Sequence, residues 1–170
     1  MNIEIANLEN WKEQSASPSN FFVWTYCYER IYSSLCEEIV SLALCAEDIR
    51  DLQQFDFDYV SQVADHVDLY IQKAFDGIKA ELVKNPDLFG IKPEQVSIYL
   101  KNSNKDFRVS IPVFMISPKN EIDLQFIEAN FPNVEYGHGI MVHFENDTVK
   151  SVEVVGSDEE ILKKLDSGSV

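Results

Sequence analysis

Between Val60 and Leu82, apolar side chains recur at helical spacing and stop at Asn85-Pro86, and this stripe constrains the fold more than any other stretch. Val60, Val63, Ala64, Val67, Ile71, Ala74, Phe75, Ile78 and Leu82 share one face of an α-helix. Asp58, Asp65, Asp68 and Asp76 lie on the other. The pattern predicts a helix over about Phe57–Lys84, started by an Asp56 cap with Phe55 stapled onto Val60. Asn85-Pro86 ends it, because the residue before a proline is pushed out of helical geometry. An apolar stripe of this length has to lie against another layer.

Upstream, Trp24, Tyr28, Ile31, Tyr32, Leu35, Ile39, Leu42, Ala43 and Ala46 also fall at three- and four-residue steps. They predict a first long helix from a Ser19 or Asn20 cap, with Arg30, Ser33, Ser34, Glu37 and Ser41 as a narrow polar side. Cys27, Cys36 and Cys45 are nine residues apart. In one helix that spacing places neighbours on opposite faces about 13 Å apart along the axis, so free thiols are expected. Residues 47–54 continue this helix or form a short one of their own.

After Gly90 the period becomes two. Val96, Ile98 and Leu100, then Phe107, Val109, Ile111 and Val113, read as one β-hairpin. Ile140, Val142 and Phe144, followed by Val152 and Val154, read as a second. A three-residue loop with a bulge sets Val142 against Val152 and Ile140 against Val154, keeping the apolar residues on one face. Residues 118–130 fit a helix opened by Ser117-Pro118, although Ile122, Leu124 and Phe126 also alternate. Ser157 and Glu160 form a capping box for a short last helix. The expected fold is one α+β domain over 1–170: two long N-terminal helices (about 19–85), an antiparallel sheet of two hairpins (about 94–165) and a short C-terminal helix. Its core takes Trp24, Ile31, Leu35, Ile39, Val63, Val67, Ile71, Phe75, Ile78, Val109, Ile111, Val142 and Phe144.

Fourteen basic residues against 29 acidic ones leave a net charge of −15. That excludes docking on phosphate backbones or anionic membranes, both of which need a cationic surface. The Phe21–Ala46 window is broken by Glu29, Arg30, Glu37 and Glu38, so it does not read as a membrane span. Met1-Asn2-Ile3-Glu4 does not open a signal peptide, and a cytoplasmic location is expected.

The acids are concentrated. Glu37, Glu38, Glu47, Asp48, Asp51, Asp56, Asp58, Asp65 and Asp68 face a single base, Arg50, a balance of −8 in 32 residues. With Asp76 they form either a solvated face or a landing surface for a basic partner. Tyr59 and Tyr70 flank it, as interface anchors or as core residues. No nucleotide-binding, hydrolase or metalloprotease motif is present, and no cofactor or metal is expected. His138 and His143 are five apart and point to opposite faces of a strand.

With its acidic run from Glu37 to Asp68, the chain resembles the immunity proteins of bacterial toxin systems, including contact-dependent inhibition. The resemblance implies a small cytosolic inhibitor that caps a basic toxin, often a nuclease, rather than an enzyme. The residues expected to meet the partner are Glu37, Glu38, Glu47, Asp48, Asp51, Asp58, Asp65, Asp68 and Asp76. Two alternatives use the same sequence differently. One is a nucleic-acid mimic that inhibits a DNA-binding protein. The other is a small enzyme or ligand-binding domain with a pocket near Tyr136, His138 and His143.

Overall fold

A computed structural model describes residues 11–15, 24–46, 53–101, 109–134 and 139–155. Its centre is one seven-stranded sheet. The strands are β1 (Lys12–Ser15), β2 (Trp24–Ser33), β3 (Glu38–Ala46), β4 (Val109–Ile116), β5 (Ile122–Ala129), β6 (Ile140–Glu145) and β7 (Thr148–Val154), side by side in chain order. All neighbours are antiparallel except β3 and β4. A parallel pair needs a long crossover. Here it carries α1 (Phe57–Asp65), α2 (Val67–Lys84), two 3-10 turns and the short α3 (Val96–Leu100).

This corrects the expected fold. The class is α+β, but the two long N-terminal helices do not exist as a pair. The first is the β2–β3 hairpin, with Ser33 paired to Glu38 across a turn at 34–37. Ser33, Ser34 and Glu37, read above as a polar helix side, belong to that turn and its flanks. The apolar run misled because β3 is a central strand buried on both faces from Leu42 to Cys45, so no alternation survives. The β-branched and aromatic content of β2 was the better signal. The second helix is present, broken at His66, whose φ of −123° separates α1 from α2. Asp56 caps α1 by accepting the N–H groups of Asp58 and Tyr59 at 3.0 and 3.2 Å, and Phe55 and Val60 are both buried.

Two further elements change type. Val96–Leu100 is a helix, not a hairpin arm. Residues 122–129 are a strand, with Ile122, Leu124 and Phe126 buried alternately. The cap signal at Ser117 was real but closes a turn: its Oγ accepts the N–H groups of Lys119 and Glu121. The β6–β7 register is the expected one, Val142 against Val152 and Ile140 against Val154. It is reached by a two-residue turn, Asn146-Asp147, both at positive φ, plus a bulge after His143. The capping box at Ser157 lies outside the described residues.

The helices cover one face of the sheet. Phe75 stacks on Phe126 of β5 at 5.5 Å, and Tyr70 meets Phe114 and Phe144 edge-on at 6.1 and 5.5 Å. Gly77 brings α2 onto β7; a Cβ there would meet Val149 at 2.9 Å. Ile71, Phe75, Ile78, Val142 and Phe144 are buried as expected, whereas Ile39 and Ile111 are not core residues: both are exposed on the opposite face. Gly139 opens β6 at a φ of +70°, and a Cβ there would sit 1.7 Å from the Phe126 carbonyl oxygen. Only glycine fits.

Candidate functional site

Side chains alternate across a strand, so registration with the helix-packed residues assigns the face turned away from the helices, closed at Ala43 and Cys45 and part-exposed from Met115 to Ser151. One row runs Ala43, Met115, Asp123, His143 and Ser151 across β3 to β7. The next runs Ser41, Val113, Gln125, Met141 and Glu153. Near the first row the face opens into a pocket of about 380 Å³, lined by Cys45, Met115, Ser117, Glu121, Asp123, His143, Phe144, Glu145, Lys150, Ser151 and Glu153.

His143 is the pocket's most constrained polar group. Its Nδ1 lies 2.6 Å from Asp123 Oδ1, on the neighbouring strand in direct register. A carboxylate accepts, so Nδ1 carries the hydrogen. Nε2 is buried with no hydrogen-bond partner, 3.6 Å from Glu153 Oε1. The bond to Asp123 raises the imidazole pKa above its ordinary value; burial opposes this, and the charges of Asp123 and Glu153 reinforce it. Lys150 is paired with Glu145 at 3.3 Å. Glu121 and Glu153 therefore leave the pocket negative even when His143 is charged.

Nucleophilic chemistry gains nothing from this geometry. Burial pushes the Cys45 thiol up to about 12, so at neutral pH it stays protonated. No hydroxyl or thiol is hydrogen-bonded to His143 Nε2. Among the described residues, no group of three or more His, Cys, Asp or Glu is placed to hold a metal ion. Among them too, no helix is long and apolar enough to cross a membrane.

The acids singled out in the sequence are dispersed and partly occupied. Glu38 accepts the Ile111 N–H at 2.8 Å, tying β3 to β4. Asp68 accepts Ser33 Oγ at 2.6 Å, Ser34 Oγ at 2.5 Å and the Ser34 N–H at 3.3 Å, clamping the β2–β3 turn to the start of α2. Glu37 is exposed in that turn, and Asp58 and Asp65 are exposed on α1. Asp76 accepts from Gln72 at 3.0 Å. Lys73 and Lys79 interrupt the acids along α2. Glu47, Asp48, Asp51, Tyr136 and His138 lie outside the described residues. Tyr70 takes the core alternative: it is buried, and its hydroxyl donates to Asp147 at 2.5 Å.

Sequence reasoning named His143 but missed the carboxylates around it. Glu121, Asp123, Glu145 and Glu153 come from three strands and a turn, and only the sheet register gathers them. The available signal was alternation: Asp123 lies between two buried residues of β5, and Glu153 lies opposite Met141. No family model, curated protein or solved structure matches the chain.

Proposed function

We propose that this chain is a binding protein for a basic protein partner, with the open sheet face as its contact surface and the His143 pocket as the seat of a lysine or arginine side chain. The observation that carries the reading is the pocket's unbalanced charge: Glu121 and Glu153 have no lysine or arginine partner among the described residues, and the only lysine of the pocket is already paired with Glu145. A guanidinium or ammonium entering it finds Asp123 and Glu153 on two strands of the sheet and Glu121 in the turn before β5, so charge-assisted hydrogen bonds can form from several sides. The net charge of −15 extends that attraction into solution and speeds encounter with a cationic protein. Neutralisation of a basic toxin in the cytosol, as by immunity proteins, is the role this suits.

The test compares two pairs of neutralising substitutions in the association rate with the partner captured by the wild-type chain. Glu121→Gln with Glu153→Gln removes two charges from the pocket. Asp65→Asn with Asp76→Asn removes two from the helix face. The pocket pair should slow association more, and added salt should slow it further as the Debye length shrinks from about 10 Å at 0.1 M to about 3 Å at 1 M. A larger effect from the helix pair would move the site to that face. Indifference to both pairs and to salt would remove the electrostatic reading.

A further inference from the structure

We propose that the same partner carries an apolar side chain beside its cation, and that this side chain docks on Tyr32, Ile39 and Ile111 at the far end of the open sheet face. This rests on the basic-partner reading and specifies the chemistry of the partner's contact surface. The three residues are 62%, 60% and 41% exposed. Single exposed apolar side chains are ordinary, but these occupy neighbouring positions on three adjacent strands. Tyr32 pairs with Ile39 across β2–β3. Extending the β3–β4 register two residues beyond Ser41 and Val113 brings Ile39 level with Ile111, whose N–H is accepted by the Glu38 side chain.

Ile111 adds an independent observation. Its φ is +55°, in the left-handed region that a β-branched residue avoids. Glu38 accepts its N–H at 2.8 Å and holds it there. Asparagine or glycine would fit this backbone better, and a polar side chain would suit its exposure better. An isoleucine that is both strained and exposed is explained by what it contacts when a partner is bound.

Four residues separate this row from the pocket row, 39 to 43 on β3 and 111 to 115 on β4, or about 13 Å along the strands. The intervening row includes Val113 and Met141, so one contact face of ordinary size covers both ends. The charge decides the occupant. A second copy of this chain would bring another −15 onto a carboxylate-lined face, and an anionic membrane would meet the same repulsion. Because His143 lies two strands across from β4 as well as four residues along, a basic protein with an apolar anchor about 16 Å from its lysine or arginine charge satisfies both ends.

The probe is an extended, end-capped peptide, Phe-Ser-Thr-Ser-Arg, whose backbone covers about 13 Å from Phe to Arg and whose long arginine side chain reaches the rest of the way across the strands. It is titrated into methyl- and histidine-labelled protein and followed by NMR. Saturable shifts are expected at the Ile39 and Ile111 methyls and at the His143 ring, and replacing the peptide's Phe by Ser should weaken binding roughly tenfold or more. In the protein, Ile111→Asn should raise Tm by about 2–4 °C through relief of strain while weakening the peptide; Ile39→Ser should weaken it with the fold intact. Shifts at His143 without Ile39 and Ile111 would overturn this inference and leave the basic-partner reading standing. Shifts at neither end would overturn both. A fall in Tm for Ile111→Asn would make Ile111 a structural residue and overturn its role as an anchor.

Discussion

Asp65 and Asp68 are three residues apart in sequence, and the structure gives them different consequences. Asp68 accepts three hydrogen bonds from the β2–β3 turn. Hydrogen bonds to charged groups contribute about 1.5–3 kcal/mol each when well made. The 3.3 Å bond adds little, and solvent reaches part of the carboxylate, so the three together amount to about 2 kcal/mol. Truncation also leaves the hydroxyl hydrogen of Ser33, a fully buried residue, without its acceptor. Asp68 further lies in the first turn of α2, where a negative charge contributes about 0.3–1 kcal/mol. Asp68→Ala should therefore cost about 2–3 kcal/mol in urea melts at pH 7, a fall in Tm of roughly 5–10 °C. Asp65 is exposed at the end of α1, where a carboxylate faces the unfavourable end of the helix dipole, so Asp65→Ala should stay within about 0.5 kcal/mol. Burial opposes ionisation of Asp68, but the bonds from Ser33, Ser34 and the Leu35 backbone outweigh it and hold the carboxyl below its usual value. A lowered pKa means stability that is present above about pH 4 and lost as pH falls through the lowered value, so the gap between wild type and Asp68→Ala should close on acidification. Equal stabilities for the two alanine variants at pH 7 would refute the clamp.

Gly139→Ala should prevent or severely weaken folding, since the new Cβ would lie 1.7 Å from a backbone oxygen at a positive φ; soluble expression with an unchanged urea midpoint would contradict the β5–β6 geometry. The His143 ring should titrate above the ordinary histidine value by NMR, and Asp123→Asn should bring it down; the raised pKa implies stability present below about pH 6.5 and lost as pH rises through the folded value. Labelling after unfolding without reductant should count three thiols, and in the native state Cys45, buried and pushed up to about 12, should react slowly; a disulfide in the purified protein would count against the free-thiol state.

What the sequence revealed depended on whether a segment buries one face or two. The α1–α2 stripe was legible because one side meets the sheet and the other meets water. The β6–β7 register was legible for the same reason, down to the pairing of Val142 with Val152. β3 was illegible because it is central: Leu42 and Leu44 face the helices, Ala43 and Cys45 face the other side, and all four are buried. Residues 39, 42, 43 and 46 then satisfy a helical period by default. The free cysteines were anticipated, but for a reason the fold replaces. Cys27 and Cys45 lie on one sheet face beside Ala43, and Cys36 lies in the turn between their strands, so it is strand and turn placement rather than helical phase that sets the three thiols. The pocket was hidden for a further reason, since its residues are separated in the chain and only strand order unites them.

Part of this chain's acidity is built into its fold. Within the run from Glu37 to Asp68, Glu38 holds a backbone N–H of β4, Asp56 caps α1 and Asp68 clamps a turn. Those three carboxylates are part of the fold, so reversing their charge would change folding along with any binding. Glu153 differs: it is exposed, on the last strand of the sheet, and among the described residues its charged neighbour is His143. Neutralising it removes field from the pocket without removing a bond that holds two elements together. Glu153→Gln should therefore leave the unfolding free energy from urea melts within about 0.5 kcal/mol of wild type while lowering the His143 pKa and slowing association with a cationic partner. The joint outcome matters, because a structural carboxylate would move the midpoint and a merely solvated one would move neither the histidine nor the rate.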